Sequence, residues 1–130
     1  MTRILLVDDD DDLREVCVDV LLDEGYEVTM ARNGDDALAL LHRGLRPGVI
    51  LLLDLMMPVM SGFEFRARQL ADPSLADLPV VVLTAGSVSE RLYALRPLAC
   101  LTKPFELDEL LRVIARVPAS PRAPRGARSA

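Results

Sequence analysis

Apolar runs alternate with amphipathic stretches along the chain from residue 3 to residue 116. Ile4-Leu5-Leu6-Val7, Val49 to Leu53 and Val80 to Leu83 are continuous hydrophobic segments of strand length, rich in branched side chains. A strand that is apolar on both faces belongs between two layers, so these segments predict a parallel sheet with helices on each side. The rhythm places strands near 3–7, 27–31, 49–53, 79–84 and 99–102, and helices near 12–24, 34–44, 62–71, 88–95 and 106–116. Five β-α units of an α/β fold follow. Leu13, Val16, Cys17, Val20 and Leu21 recur at helical spacing, as do Leu107, Leu110, Leu111 and Ile114, and both sets predict core faces. Asn33 before Gly34-Asp35-Asp36 is a helix cap with acids in the first turn, and Asp12 with Glu15 has the spacing of a capping box. Ser87 with Glu90 offers another box, and Pro97 stops the helix that it starts.

Chemistry sits where the strands end. Asp8 and Asp9 follow the first apolar run, Asp54 follows the third and Thr84 ends the fourth, while Lys103-Pro104-Phe105 follows the fifth. A parallel sheet gathers strand ends at one edge, so these groups are expected in one site. Several carboxylates with one ammonium and one hydroxyl suit a hard divalent cation such as Mg²⁺ and a phosphoryl group carried by a carboxylate. Asp8 and Asp9 beside Asp54 make the oxygen-rich pocket, and Asp54, ending a buried strand, is the nucleophile. Pro58 and Gly62 suit the tight loop after it, with glycine free to take a positive φ. Asp8, Asp10 and Asp12 imitate the opening of a calcium-binding loop, but Leu13 stands where that loop needs glycine and Asp19 where it needs glutamate.

The chain of 130 residues is long enough for one domain with a real core, and 51% of it is hydrophobic with no apolar run near the length of a membrane span. Met1-Thr2-Arg3-Ile4 leads almost directly into a strand, leaving no room for the regions of a signal peptide, so a soluble cytoplasmic protein is expected. Residues 1–116 carry 12 basic and 20 acidic side chains, a net of −8 that excludes an electrostatic footprint for DNA. The segment 117–130 adds three arginines and no acids, and its prolines predict a mobile tail with no output domain. Cys17 and Cys100 lie far apart inside apolar patterns and read as buried free thiols. His42 reads as a surface residue, and Met56, Met57 and Met60 as gap-fillers in a loop.

The motifs Ile4-Leu5-Leu6-Val7-Asp8-Asp9-Asp10, Asp54-Leu55-Met56-Met57-Pro58-Val59-Met60-Ser61-Gly62, Leu83-Thr84-Ala85 and Lys103-Pro104-Phe105 stand in one order at nearly one family's spacing. Together they make the chain resemble the receiver domain of two-component response regulators, from about residue 2 to residue 116. That resemblance implies a flavodoxin-like doubly wound (βα)5 domain with strand order 2-1-3-4-5. It also implies a phosphoacceptor that catalyses its own phosphorylation and dephosphorylation and is not a turnover enzyme. In it, Asp54 accepts the phosphoryl group from a sensor histidine kinase or phosphotransfer protein. Asp8, Asp9, Asp54 and the backbone carbonyl of Met56 hold Mg²⁺, Lys103 binds a phosphoryl oxygen, and the Thr84 hydroxyl moves to meet the phosphoryl group. The peptide between Lys103 and Pro104 is implied to be cis. An unidentified downstream protein is the expected partner, with the chain a monomer or weak dimer.

Two features depart from that pattern. The family's inward-turning aromatic, three residues before the lysine, is here Cys100, and the stretch between Thr84 and Lys103 is shorter than usual. These motivate an alternative, a receiver-like adaptor that is not phosphorylated. A second alternative is a small phosphatase with Asp8 as nucleophile, because Ile4 to Asp10 also resembles the signature of haloacid-dehalogenase-like enzymes.

Overall fold

The structure is a computed structural model that describes residues 2–44, 48–57, 59–85 and 90–118. Strands β1 (Arg3–Val7), β2 (Glu27–Ala31), β3 (Val49–Asp54), β4 (Val80–Thr84) and β5 (Ala99–Thr102) form one parallel sheet in the order β2-β1-β3-β4-β5. Helices α1 (Asp11–Asp23), α2 (Gly34–His42), α3 (Gly62–Ala71), α4 (Glu90–Tyr93) and α5 (Leu107–Arg116) connect and cover it. The architecture is the parallel α/β sheet that the apolar runs predict, in the doubly wound flavodoxin-like order that the resemblance implies. No helix among the described residues is long and apolar enough to cross a membrane.

Successive side chains of a strand point to opposite faces, so the central strands feed two separate cores. Leu5, Val7, Leu51, Leu53, Val80 and Val82 pack with Ala37 and Leu41 of α2 and Phe65 of α3. Ile4, Leu6, Ile50, Leu52, Val81 and Leu83 pack with Cys17 and Leu21 of α1 and Leu110 and Ile114 of α5. All six residues of β3 are buried, which is why its sequence shows no polar alternation. Val117, just past α5, is partly buried against the second cluster.

The helix starts and faces refine the sequence reading. Asn33 caps α2, accepting from the backbone N–H of Asp36 at 2.8 Å. The cap of α1 is Asp10, not Asp12: it has extended backbone and its carboxylate accepts from the N–H of Leu13 at 3.1 Å. The turn out of β1 is shorter than the aspartate run suggests, so Asp11 and Asp12 fall inside the first turn, where acids favour the helix dipole. Val16 is 47% exposed and leaves the predicted core face of α1 to Cys17 and Leu21. α4 is a single turn that ends at Tyr93, and three residues on Arg96 has a φ of 52° directly before Pro97. Pro58, Gly86, Ser87 and residues 119–130 lie outside the described residues, so the Ser87 box and most of the predicted tail do as well.

Cys17 is buried and Cys100, on edge strand β5, is half-buried; both thiols are free. His42 is on the surface, with Nε2 at 3.1 Å from Asp72 Oδ2. Of the three methionines, Met60 is buried, Met57 is partly buried against the core and Met56 is exposed, so the gap-filling role belongs to the first two.

Truncating the real cap tests the start of α1. Asp10→Ala is expected to lower unfolding free energy by about 1 kcal/mol in urea, and Asp12→Ala to change it much less.

Candidate functional site

All five strands are parallel, so their carboxyl ends share one edge, and the chain puts its charged groups there. β1 stops at Val7, where the N–H of Asp8 still donates to Ala31 O at 3.1 Å and the side chain turns into the cleft, fully buried. Its Oδ1 accepts from the N–H of Asp10 at 2.9 Å, and its Oδ2 accepts from Lys103 Nζ at 2.9 Å. Asp54 is the last residue of β3 and only 3% exposed; its Oδ1 accepts from the N–H of Met56 at 3.2 Å and lies 3.6 Å from Lys103 Nζ. Met56 therefore meets Asp54 through its backbone N–H.

Thr84 ends β4 one step past Leu83, which pairs with Asp54, and is 6% exposed. Its carbonyl accepts from the N–H of Lys103 at 2.7 Å, and the peptide from Lys103 to Pro104 is cis. Asp9 is exposed at the mouth. One carboxylate oxygen from each of Asp8, Asp9 and Asp54 lies within 4.8 Å of the others. The sequence-predicted groups of β1, β3 and β5 are thus in one place, with Thr84 at the adjoining strand end.

The loop after β3 is held by two contacts. Gly62 N–H donates to Leu55 O at 3.0 Å, and α3 begins with a capping box in which Ser61 Oγ accepts from Glu64 N–H while Glu64 Oε1 accepts from Ser61 N–H. Gly62 is required for space and not for a positive φ: a Cβ there would press on the Asp54 carbonyl and stand 2.7 Å from Leu55 Cα. The positive φ in this loop belongs to Val59, at 68°.

Electrostatics mark Asp54 as the strained member. Burial, then the charge of Asp8, raises its pKa from 3.8 to about 6, against the lowering effects of the Met56 N–H and of Lys103. Burial acts to lower the pKa of Lys103, but its hydrogen bond to Asp8 and the charges of Asp8 and Asp54 outweigh that and hold it above 10.5. Three carboxylates, one of them costly to ionise, fit a small hard cation by their own chemistry. Cys17 borders the site, and burial followed by the Asp8 charge pushes its thiol up to about 11, so it stays protonated.

One supporting residue escaped the sequence reading. Arg14 Nη1 donates to the backbone carbonyl of Asp8 at 2.6 Å while Nη2 pairs with Asp11, tying α1 to the end of β1. The signal available was its place between Leu13 and Cys17, close to a predicted core face.

Residues 4–115 match the response regulator receiver domain family. This chain belongs to that family. It is 47% identical over 112 residues to the response regulator MprA of Mycobacterium leprae, and covers 84% of this chain but 47% of that regulator, so the chain spans about half of its length. The chemotaxis protein CheY4 of Vibrio cholerae matches with a TM-score of 0.82 and 32% identity, over 91% of this chain and 99% of that one. The response regulator TrrA of Thermotoga maritima, solved in complex with Mg²⁺ and beryllium fluoride, matches with a TM-score of 0.76 and 32% identity over 89% of this chain and 98% of that one.

Because the folded receiver domain binds a proton on Asp54 more tightly than the unfolded chain does, its stability falls as pH rises between 3.8 and about 6. Asp54→Asn is therefore expected to stabilise chelator-treated protein at pH 7 by up to about 3 kcal/mol, with the gain gone below about pH 4. Urea unfolding at the two pH values measures both.

Proposed function

We propose that this receiver domain is the phosphoacceptor of a two-component phosphorelay, in which Asp54 takes a phosphoryl group from a sensor histidine kinase or phosphotransfer protein. The modified domain then changes its binding to a downstream protein. The acting unit is residues 1–116, followed by the segment 117–130, and it works in the cytoplasm. The observation that carries the reading is the position of Asp54: a buried carboxylate at the end of the central strand, among two more carboxylates and 3.6 Å from an ammonium.

Asp54 attacks phosphorus through a carboxylate oxygen. The bond from phosphorus to the donor nitrogen breaks, and that nitrogen keeps the electron pair, leaving an acyl phosphate on Asp54. Lys103, already drawn toward both Asp8 and Asp54, supplies a positive charge to a phosphoryl oxygen. Thr84 offers its hydroxyl from the neighbouring strand end. Asp8, Asp9, Asp54 and the backbone carbonyl of Met56 are the groups to hold Mg²⁺, which when bound neutralises charge on the phosphoryl oxygens. The Mg²⁺ and beryllium fluoride complex of the Thermotoga relative combines a hard cation with a phosphate-like anion, the pairing these side chains suit.

Incubation with Mg²⁺ and acetyl phosphate is expected to add the mass of one phosphoryl group, absent in Asp54→Asn; mass gained at another residue rejects the assignment. No labelling at all favours the adaptor reading, and steady turnover of phosphomonoesters abolished by Asp8→Asn favours the phosphatase. Lys103→Ala is expected to slow labelling about a hundredfold, followed by stopped labelling and intact mass. Mg²⁺ at a hundred times its Kd should raise unfolding free energy by about 2.7 kcal/mol, and Asp9→Ala should require more Mg²⁺ for the same gain.

A further inference from the structure

Among the described residues, the buried polar or charged side chains are Asp8, Asp54 and Thr84 in the site, and Arg66 and Gln69 on α3. The last two have no part in the chemistry above, yet a buried guanidinium is costly unless its donors are used. They are used in a specific way. Arg66 Nε donates to Leu95 O at 2.8 Å, Nη2 to Arg96 O at 3.0 Å and Nη1 to Gln69 Oε1 at 2.7 Å. Gln69 Nε2 in turn donates to Leu75 O at 2.8 Å and Leu78 O at 3.2 Å. One network thus joins α3 to the segment before β4 and to the corner before β5.

Leu92 is buried and Leu95 packs against the core of α2 and α3, but the rest of that corner is exposed or conformationally unusual. α4 is a single turn, Tyr93 and Leu98 are 70% and 55% exposed, and Arg96 holds a φ of 52°, uncommon for a side chain of its size. β5 has four residues, is an edge strand and pairs with β4 alone. Its pairing begins where Leu98 N–H donates to Val80 O at 2.9 Å and ends where Lys103 N–H donates to Thr84 O at 2.7 Å. Whatever sets the first of these bonds sets the register of the strand that delivers Lys103.

We propose that Arg66 is a positioning residue for Lys103, acting by pinning the corner from which β5 departs; this rests on the role given to Lys103 above. The metal-binding half of the site, Asp8, Asp9 and Asp54, hangs from β1 and β3 in the centre of the sheet. The Lys103 half hangs from the edge. Loss of the pin therefore displaces Lys103 while leaving in place the strands that carry the carboxylates, and it removes positive charge from beside Asp8 and Asp54.

The test is Arg66→Met, an apolar side chain of similar length, with Arg66→Lys as the conservative variant able to reach one of the two carbonyls. Expected for Arg66→Met is a fall of about tenfold or more in the rate of Asp54 labelling by acetyl phosphate at saturating Mg²⁺, with Mg²⁺ affinity undiminished or tighter because Lys103 then lies farther from Asp8. Arg66→Lys should recover part of the rate, and if Arg66→Met does not fold, the same split read in Arg66→Lys decides. A general structural defect would weaken Mg²⁺ binding and labelling together; that result, or no change in either, overturns the proposal. Amide hydrogen exchange keeps this test separate from the phosphoacceptor reading, because it needs no phosphorylation. Exchange at Leu98 and Lys103 should quicken in Arg66→Met relative to β1 and β3, and uniform quickening overturns the pin even if the original protein never labels.

Discussion

Three carboxylates share a space within 4.8 Å with a single ammonium, and the rest of the molecule is organised to hold them there. Two unit charges that close repel by about 3–4 kcal/mol at the effective dielectric of a partly buried site. Lys103 offsets one of the three negative charges, leaving two, which is the complement of a divalent cation. The rise of the Asp54 pKa toward neutrality is the same deficit seen from the proton's side: without a metal, a proton is the next best cation for that carboxylate. Burial makes the repulsion strong, and it makes the attraction for a hard cation strong for the same reason.

Such a site needs a rigid frame, because each charge would move away from the others if it could. The frame is the sheet, whose central strands are packed from both sides by two independent hydrophobic clusters. At the edge that carries the charges, small local devices remove the remaining freedom. Arg14 ties α1 to the Asp8 carbonyl, the Asp10 cap sets where that helix starts, and Gly62 lets α3 press directly on the backbone of Asp54 and Leu55. Each fixes the direction of a backbone from which a carboxylate projects.

The fold was legible because uninterrupted apolar runs have one common explanation, strands covered on both faces, and the groups after those runs then had to meet at one edge. Asp8, Asp54, Thr84 and Lys103 could be placed that way from spacing alone. The strand order came from resemblance, since periodicity does not say which strands are neighbours. The misreadings share a different cause, a dependence on turns of one or two residues. Five consecutive aspartates do not say which one is the cap, and Asp10 was distinguishable from Asp12 only once the turn out of β1 was known. Gly62 suggested a left-handed turn, but in the folded chain Val59 takes that conformation and the glycine serves close packing. Arg66 and Gln69 were invisible because their partners are main-chain carbonyls, which leave no mark on a sequence.

The site is therefore two halves with different mechanical support. Asp8 and Asp54 end strands flanked by strands on both sides, whereas Lys103 follows an edge strand of four residues. The resemblance implies a ring at position 100 that turns inward when the neighbouring hydroxyl moves; here that position is a half-buried thiol packed against the core of α2 and α3. A thiol cannot sweep the volume of a ring, so rotation of the side chain at this position cannot reproduce that movement. The hydrogen bonds from the buried Arg66 guanidinium to the Leu95 and Arg96 carbonyls instead resist translation of the corner from which β5 departs.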